Sequence, residues 1–480
     1  MGLKLPAIGG KDSMSGTFND IDVPPTLCSF AIGVSEVSNI VSNTIDTMGN
    51  LYELTIKRNA DGTPDFEDAM RQYSGLYKAI RQGKVQATYA IGFGGILEAV
   101  SKMAFGNEVC IRLNDELPLQ ELAHRSYGNI VVLAESDDQP FRCREIGEVL
   151  IDEKTTIAYR GEEVEMEEAL KAWTAPLEGV FPTASSSPAQ HEQVDHLEDY
   201  DYEAKDIYIC KHKVARPKVF IPAFPGTNCE YDSARAFERA GADVETIVFR
   251  NMNDRLIIDS LNAYERAIKE SQIIMIPGGF SAGDEPEGSA KFITSVFRNS
   301  RVADAVMELL NKRDGLMLGI CNGFQALVKL GLVPYGEIRP QDTDSPTLTF
   351  NTIGRHQSKI AYTRVVSNLS PWLRGTDPEE IYAVPISHGE GRFVASSEWI
   401  ETLFSNGQVA TQYVNLNGIP TMDERFNMNG SYEAIEGITS PDGRVFGKMA
   451  HSERRSDGTY LNVPGEQDQR IFESGVEYFK

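Results

Sequence analysis

The chain has 480 residues, enough for two or three domains, and 41% of them are hydrophobic, an ordinary share for a protein that buries cores. A formal net charge of −24 argues against a general nucleic-acid binder, which carries a basic footprint. The six cysteines are scattered singly, with no CxxC pair and no Cys/His cluster, which argues against a zinc module or a disulfide scaffold and fits a reduced, cytoplasmic compartment.

The opening MGLKLPAIGGKDSM lacks the apolar centre of a secretory leader, and no apolar run of about 18 residues marks a membrane span. Strand-like residues begin at once, so the start reads as the tail of a longer polypeptide. Residues 1–175 alternate strand-like runs (LCSFAIGV, GNIVVLAE) with helix-like ones (PDFEDAMRQYSGLYKAIRQG), the pattern of an α/β lobe. Residues 176–214 read as an acidic, flexible linker. Its centre, ASSSPAQHEQVDHLEDYDYEAK, has too few aliphatic residues to offset the entropy of ordering.

From residue 215 the rhythm becomes regular. PKVFIPAF, DVETIVF, QIIMI and GLMLGI read as buried strands. They are separated by helices over EYDSARAFERAG, LIIDSLNAYERAIKE and residues 289–312. Strands alternating with helices predict a parallel sheet with right-handed crossovers, here a flavodoxin-like α/β domain over 215–480. After residue 340 strand-like runs predominate: KIAYTRVV, IYAVPIS, QVATQYV and GRVFGKMA.

Gly319-Ile320-Cys321-Asn322-Gly323 has the G-x-nucleophile-x-G form of a strand-to-helix elbow, entered by GLMLGI and left by NGFQALVKLG. Such a turn crowds its flanks, which glycines at 319 and 323 relieve. The helix start directs amide N–H groups at Cys321 and favours negative charge on its sulfur. Acyl transfer also needs donors for an oxyanion. The Asn322 amide supplies one, and the loop Pro277-Gly278-Gly279-Phe280 after the strand QIIMI offers a second at Gly279.

A general base must come from seven histidines. His191 and His196 lie in the expected linker, His212 at its exit and His124 in the first lobe, which leaves His356, His388 and His451. Two of these begin a His-x-Glu pattern, His388-Gly389-Glu390 and His451-Ser452-Glu453. In an extended strand residues i and i+2 share a face, so either glutamate is placed to orient its imidazole. Spacing alone does not choose between them.

GICNGFQ, PGGFS and a C-terminal His-x-Glu together resemble the class I, triad-type glutamine amidotransferases. With FPGTNCEYDSARAFERAGADV and ISHGEGRF, residues 215–480 are most similar to the glutaminase end of the large form of the phosphoribosylformylglycinamidine synthase family. The resemblance makes Cys321 the nucleophile, His451 the base and Glu453 its orienter, with no metal. It puts His388 and Glu390 near the glutamine pocket and lets Gln325 line it. Ser452 stands where the family usually has proline. GGKDSMSG at 9–16 and AIGFGGILEAVSKMAFG at 90–106 resemble the C-terminal lobe of aminoimidazole ribonucleotide synthetase-type domains.

The resemblance further implies hydrolysis of glutamine to supply ammonia for an ATP-dependent amidation of formylglycinamide ribonucleotide in purine biosynthesis. ATP and Mg²⁺ would serve the complete synthase, and the glutaminase step would need neither. The partners implied are glutamine and the missing synthase lobes, with no nucleic acid and no membrane. Ala90-Ile91-Gly92-Phe93-Gly94-Gly95 stands where many members have Asp-x-Ser-Asp-Gly-Gly, whose carboxylates hold Mg²⁺. Two competing expectations are a non-catalytic assembly fragment and a cysteine amidase or peptidase on the same scaffold.

Overall fold

The hydrophobic rhythm of the sequence resolves into two large sheets in a computed structural model. It describes residues 17–18, 21–22, 30–107, 109–150, 155–179, 182, 200–280 and 289–480. The chain divides into two units, Met1–Phe181 and Pro182–Lys480.

The first unit carries a seven-stranded sheet: β1 Gly49–Leu54, β2 Val85–Ala90, β3 Cys110–Leu113, β4 Ile130–Ala134, β5 Cys143–Leu150, β6 Thr156–Tyr159 and β7 Glu162–Glu165. Their spatial order is β2-β4-β1-β5-β3-β6-β7, antiparallel except between β3 and β6. The longer helices are α1 Phe66–Arg81, α2 Gly95–Phe105 and α3 Met166–Glu178, so the last runs into the segment expected to be linker. Asp65 caps α1 by accepting from the amides of Glu67 and Asp68, an arrangement worth about 1 kcal/mol. In LCSFAIGV, the strand expectation fails over the described residues 30–34. Residues 30–34 form no ladder, and Phe30, Ile32 and Val34 are exposed. GGKDSMSG lies outside the described residues.

The second unit is built on nine strands: β8 Lys218–Ala223, β9 Asp243–Val248, β10 Ile273–Ile276, β11 Leu316–Ile320, β12 Gln357–Val365, β13 Ile381–His388, β14 Val409–Tyr413, β15 Ile435–Thr439 and β16 Val445–Lys448. They run in the order β9-β8-β10-β11-β16-β15-β14-β12-β13. The first five are parallel, as the strand–helix alternation predicts for β8 to β11, and β16 joins them from the remainder, which extends the same sheet antiparallel. The helices include α4 Glu230–Arg239, α5 Asp254–Glu270, α6 Lys291–Phe297, α7 Ser300–Lys312 and α8 Asn322–Leu330. The single helix expected over 289–312 is two helices, because Asn299 turns its side chain to accept from the Arg301 amide and so starts a new one. Between sheet and helices lies an aromatic cluster in which Tyr264 meets Phe220, Phe224 and Phe249 edge-on.

The linker expectation needs correction over 200–214. Tyr200 stacks on Phe404 at 4.6 Å, and the Tyr202 and Val214 amides donate to Val366 O and Phe479 O. Asp314 accepts from the Tyr208 hydroxyl and the Lys211 amide. Composition reads this stretch as polar, yet its tyrosines supply apolar area, with the Tyr208 hydroxyl satisfied by Asp314, to dock on the rest of the second unit. Residues 183–199 lie outside the described part.

Candidate active site

Four loops at the carboxyl ends of adjacent parallel strands converge: 224–229 after β8, 277–280 after β10, Cys321 after β11 and 449–454 after β16. That is the edge where open α/β sheets place their sites. Cys321 sits at φ 54° and ψ −109°, a conformation costly for a side-chain-bearing residue, at the start of α8. The flanking glycines permit the turn. A Cβ on Gly323 would lie 1.9 Å from Ile276 O, and one on Gly319 would lie 2.6 Å from Gly323 O. Cys321 is buried, and its thiol faces Ser387 O at 3.7 Å.

Gly278 measures how closely the triad candidates gather. A Cβ there would lie 3.3 Å from Cys321 Cβ, 2.9 Å from His451 Cε1 and 3.2 Å from Cys229 Sγ. His451 Nδ1 is 2.6 Å from Glu453 Oε1, and both side chains are enclosed. The pair is not set by strand alternation. Residues 452–454 form a 3₁₀ turn that curls Glu453 back under the ring. Burial alone would lower the imidazole's proton affinity, but the negative charges of Glu453 and Cys321 outweigh it and hold His451 well above the usual histidine range. Glu453 is held below the usual carboxylate range against its burial, chiefly by His451.

The other His-x-Glu is arranged differently. His388 is enclosed, and its Nδ1 meets Asn351 Oδ1 at 3.2 Å rather than Glu390. Glu390 instead accepts from the amide and hydroxyl of Ser289, at 3.0 and 2.8 Å. Burial, reinforced by the charges of His451 and His356, lowers the His388 pKa to about 3, so the ring is neutral at pH 7. Gln325 is buried in α8 and donates to Glu390 O. His356 bonds Ser387 Oγ at 3.0 Å.

Cys321, Gln325, His388, Glu390, His451 and Gly279 all border one cavity of about 330 Å³, with Arg355, Arg454 and Phe280 among its other walls. That volume suits an amino-acid-sized ligand. Gly279 has φ 128°, and a Cβ there would lie 2.8 Å from Asn228 N. The bridge between Thr227 and Gly279 is made by Asn228 N to Gly278 O and Phe280 N to Gly226 O, which leaves the Gly279 N–H outside the ladder. Asn322 follows Cys321 as the first residue of α8, so its amide is among the first-turn N–H groups that point out of the helix's N-terminus.

Sequence reasoning overlooked Cys229 and Arg454. Cys229 Sγ is 3.9 Å from His451 Nδ1 and accepts from Arg454 Nη2 at 3.2 Å. The signal was present, since Cys229 follows a buried strand and opens α4, and Arg454 adjoins Glu453. Cys229, His451 and Glu453 offer donor atoms within 4.8 Å of one another, but Nδ1 and Oε1 are already bonded to each other.

The glycine turn of the first unit does not suit Mg²⁺ or a nucleotide. Residues 90–95 contain no carboxylate, and the Gly94 amide donates to Glu98 Oε2 at 2.6 Å. Lys102 completes that contact by pairing with Glu98 Oε1, and Phe93 lies exposed under Arg125. The chain's own carboxylate therefore occupies the amide that a phosphate would use.

This architecture, with an elbow cysteine beside a buried His–Glu pair, defines an amidotransferase-type glutaminase domain. Residues 216–479 match the CobB/CobQ-like glutamine amidotransferase domain family, and the chain belongs to it. It is similar to "Phosphoribosylformylglycinamidine synthase subunit PurQ" of Methanococcus maripaludis, with 32% identity over 286 residues, 55% of this chain and 97% of the relative. The protein of that name from Chlorobaculum tepidum is 33% identical over 256 residues, 53% of this chain and 94% of its own length. Among solved structures, "Structure of PurLQS from Thermotoga maritima" matches 55% of this chain and 100% of the solved one at 26% identity, with a TM-score of 0.40. Among the described residues, no helix is long and apolar enough to cross a membrane.

Proposed function

We propose that this chain is the glutaminase end of a large-form phosphoribosylformylglycinamidine synthase, releasing ammonia from glutamine through Cys321, His451 and Glu453. The observation that carries the proposal is the enclosed His451–Glu453 hydrogen bond of 2.6 Å, on the same glycine, Gly278, that packs against Cys321.

The Cys321 thiolate attacks the side-chain amide carbon of glutamine. The amides of Asn322 and Gly279 receive the oxyanion. Collapse of the tetrahedral adduct breaks the C–N bond, and imidazolium His451 gives its proton to the departing ammonia. A γ-glutamyl thioester remains. Neutral His451 then takes a proton from water, the hydroxide adds to the thioester, and the C–S bond breaks. Glutamate leaves and the thiolate–imidazolium pair is restored. Glu453 holds the ring through Nδ1 and stabilises its charge in both halves. Gln325, His388 and Glu390 bind the substrate's amino-acid end.

The ammonia is destined for an ATP-dependent amidation of formylglycinamide ribonucleotide in the cytoplasm, on synthase lobes that this chain supplies only in part. The first unit is the last of those lobes, and its turn at 90–95 contributes no metal ligand. Glutamate release by the full chain tests the reading, together with trapping of the thioester from free glutamine. Cys321→Ala should abolish both in a chain that still melts cooperatively. Persistent hydrolysis, or a thioester formed from peptides but not from glutamine, rejects it.

A further inference from the structure

Behind the His451–Glu453 pair lies a second enclosed ion pair that the reaction scheme does not use. Lys448 and Glu436 stand on the neighbouring strands β16 and β15, both fully buried, with Nζ 3.5 Å from Oε1. Such a pair is expensive to desolvate and is often replaceable by apolar residues without loss of stability, so stability alone does not account for it.

Its hydrogen bonds lead to the two residues that flank His451. Lys448 Nζ donates to Ala450 O at 3.1 Å and to Ser452 Oγ at 2.9 Å. Glu436 Oε1 accepts from the Ala450 amide at 2.6 Å, and its other oxygen accepts from Thr411. Gln469 Nε2 donates to Thr363 Oγ1, which turns Gln469 Oε1 towards Ser452 to take its only hydroxyl proton. Ser452 Oγ is therefore left to accept from Lys448. The lysine has three acceptors, Ala450 O, Ser452 Oγ and Glu436 Oε1, as an ammonium requires.

We propose that Lys448, paired with Glu436 and acting through Ser452, is a positioning residue that fixes His451 and Glu453 against Cys321. The proposal rests on the reading of those three residues as the triad. Ser452 stands where the resembled family has proline, whose ring stiffens the turn by itself. Here the turn is stiffened by a buried polar network instead.

Glutamine hydrolysis by the full chain tests it. Ser452→Ala should lower kcat by about 10–10²-fold, since misplacing a catalytic group by up to about 1 Å costs up to about 10²-fold. KM for glutamine should stay within about two-fold, because the ground-state pocket is untouched. Ser452→Thr, which keeps the hydroxyl, should restore most of the rate. Lys448→Met combined with Glu436→Leu leaves no buried charge unpaired, though the Ala450 amide and Thr411 hydroxyl lose their acceptor, and should lower kcat likewise in a chain that still melts cooperatively. It decides the question if Ser452→Ala fails to fold. An unchanged kcat in a normally melting variant, or a loss carried only by KM, overturns the proposal. Absence of Cys321-dependent turnover in the unmodified chain would instead overturn the triad reading itself.

Discussion

The two units each contain a strand that ends in a glycine-rich turn and enters a helix, Gly92–Gly95 in the first and Gly319–Gly323 in the second. In both, a glycine is required by space. A Cβ on Gly95 would lie 2.5 Å from Leu122 O, much as one on Gly323 would meet Ile276 O. The turns differ in what faces the first helical amides. In the first unit Glu98, one turn along the same helix, folds back onto Gly94. In the second, the helix start stands beside a thiol, an imidazole and a cavity. A helix N-terminus is chemically useful where reactive groups gather at it, and here the sequence turns a carboxylate onto one and sets a thiol and an imidazole beside the other.

The largest expected contrast is in turnover. Cys321→Ala removes it, and His451→Ala should lower it by about 10²–10⁴-fold, the usual worth of a general base. Glu98→Gln, at the corresponding helix of the first unit, should leave it unchanged. His388→Ala should cost less than His451→Ala, because the His388 ring is bonded to an amide rather than a carboxylate. Steady-state rates check this, and the reverse ranking would exchange the two histidines' roles.

The next contrast is steric. Gly323→Ala and Gly95→Ala should each destabilise their own unit by about 1–3 kcal/mol or more, the range for overpacking, with positive φ adding strain at Gly95. Chemical denaturation followed separately in each unit would show it. A milder effect is expected at the filled turn. Glu98→Gln weakens the bonds to Gly94 and Lys102 and should cost about 0.5–1.5 kcal/mol, visible as faster amide exchange at 94–98.

The last contrast is a pH dependence. His388 stays neutral in the fold down to about pH 3, whereas in the unfolded chain it titrates near 6.5. Between those values the unfolded state binds a proton that the folded state refuses, so stability falls as pH drops from 6.5 towards 3. His388→Leu should flatten that fall in a series of melting curves. An unchanged slope would mean that His388 is solvated and protonates freely.

Features local in sequence were legible, and those assembled from distant parts were not. The elbow declares itself within five residues, and the buried strands within six, because their periodicity is short. Which His-x-Glu pairs internally depends on Asn351 and Ser289, residues far from either motif that claim the side chains of the second pair. Lys448 and Glu436 look like ordinary strand charges until β15 and β16 are laid side by side. The stretch 200–214 was misread because composition counts polar residues without noticing where tyrosines can dock. The break at Asn299 was overlooked because the apolar spacing continues across it while the backbone does not.

Two sulfurs flank the His451 imidazole, but only Cys321 borders the cavity, while Cys229 lies outside its walls among Asn228, His451 and Arg454. A substrate-shaped electrophile entering that cavity would therefore be selective by position rather than by reactivity. It would carry one label per chain, on one sulfur, with its neighbour screened by the ring that both of them touch.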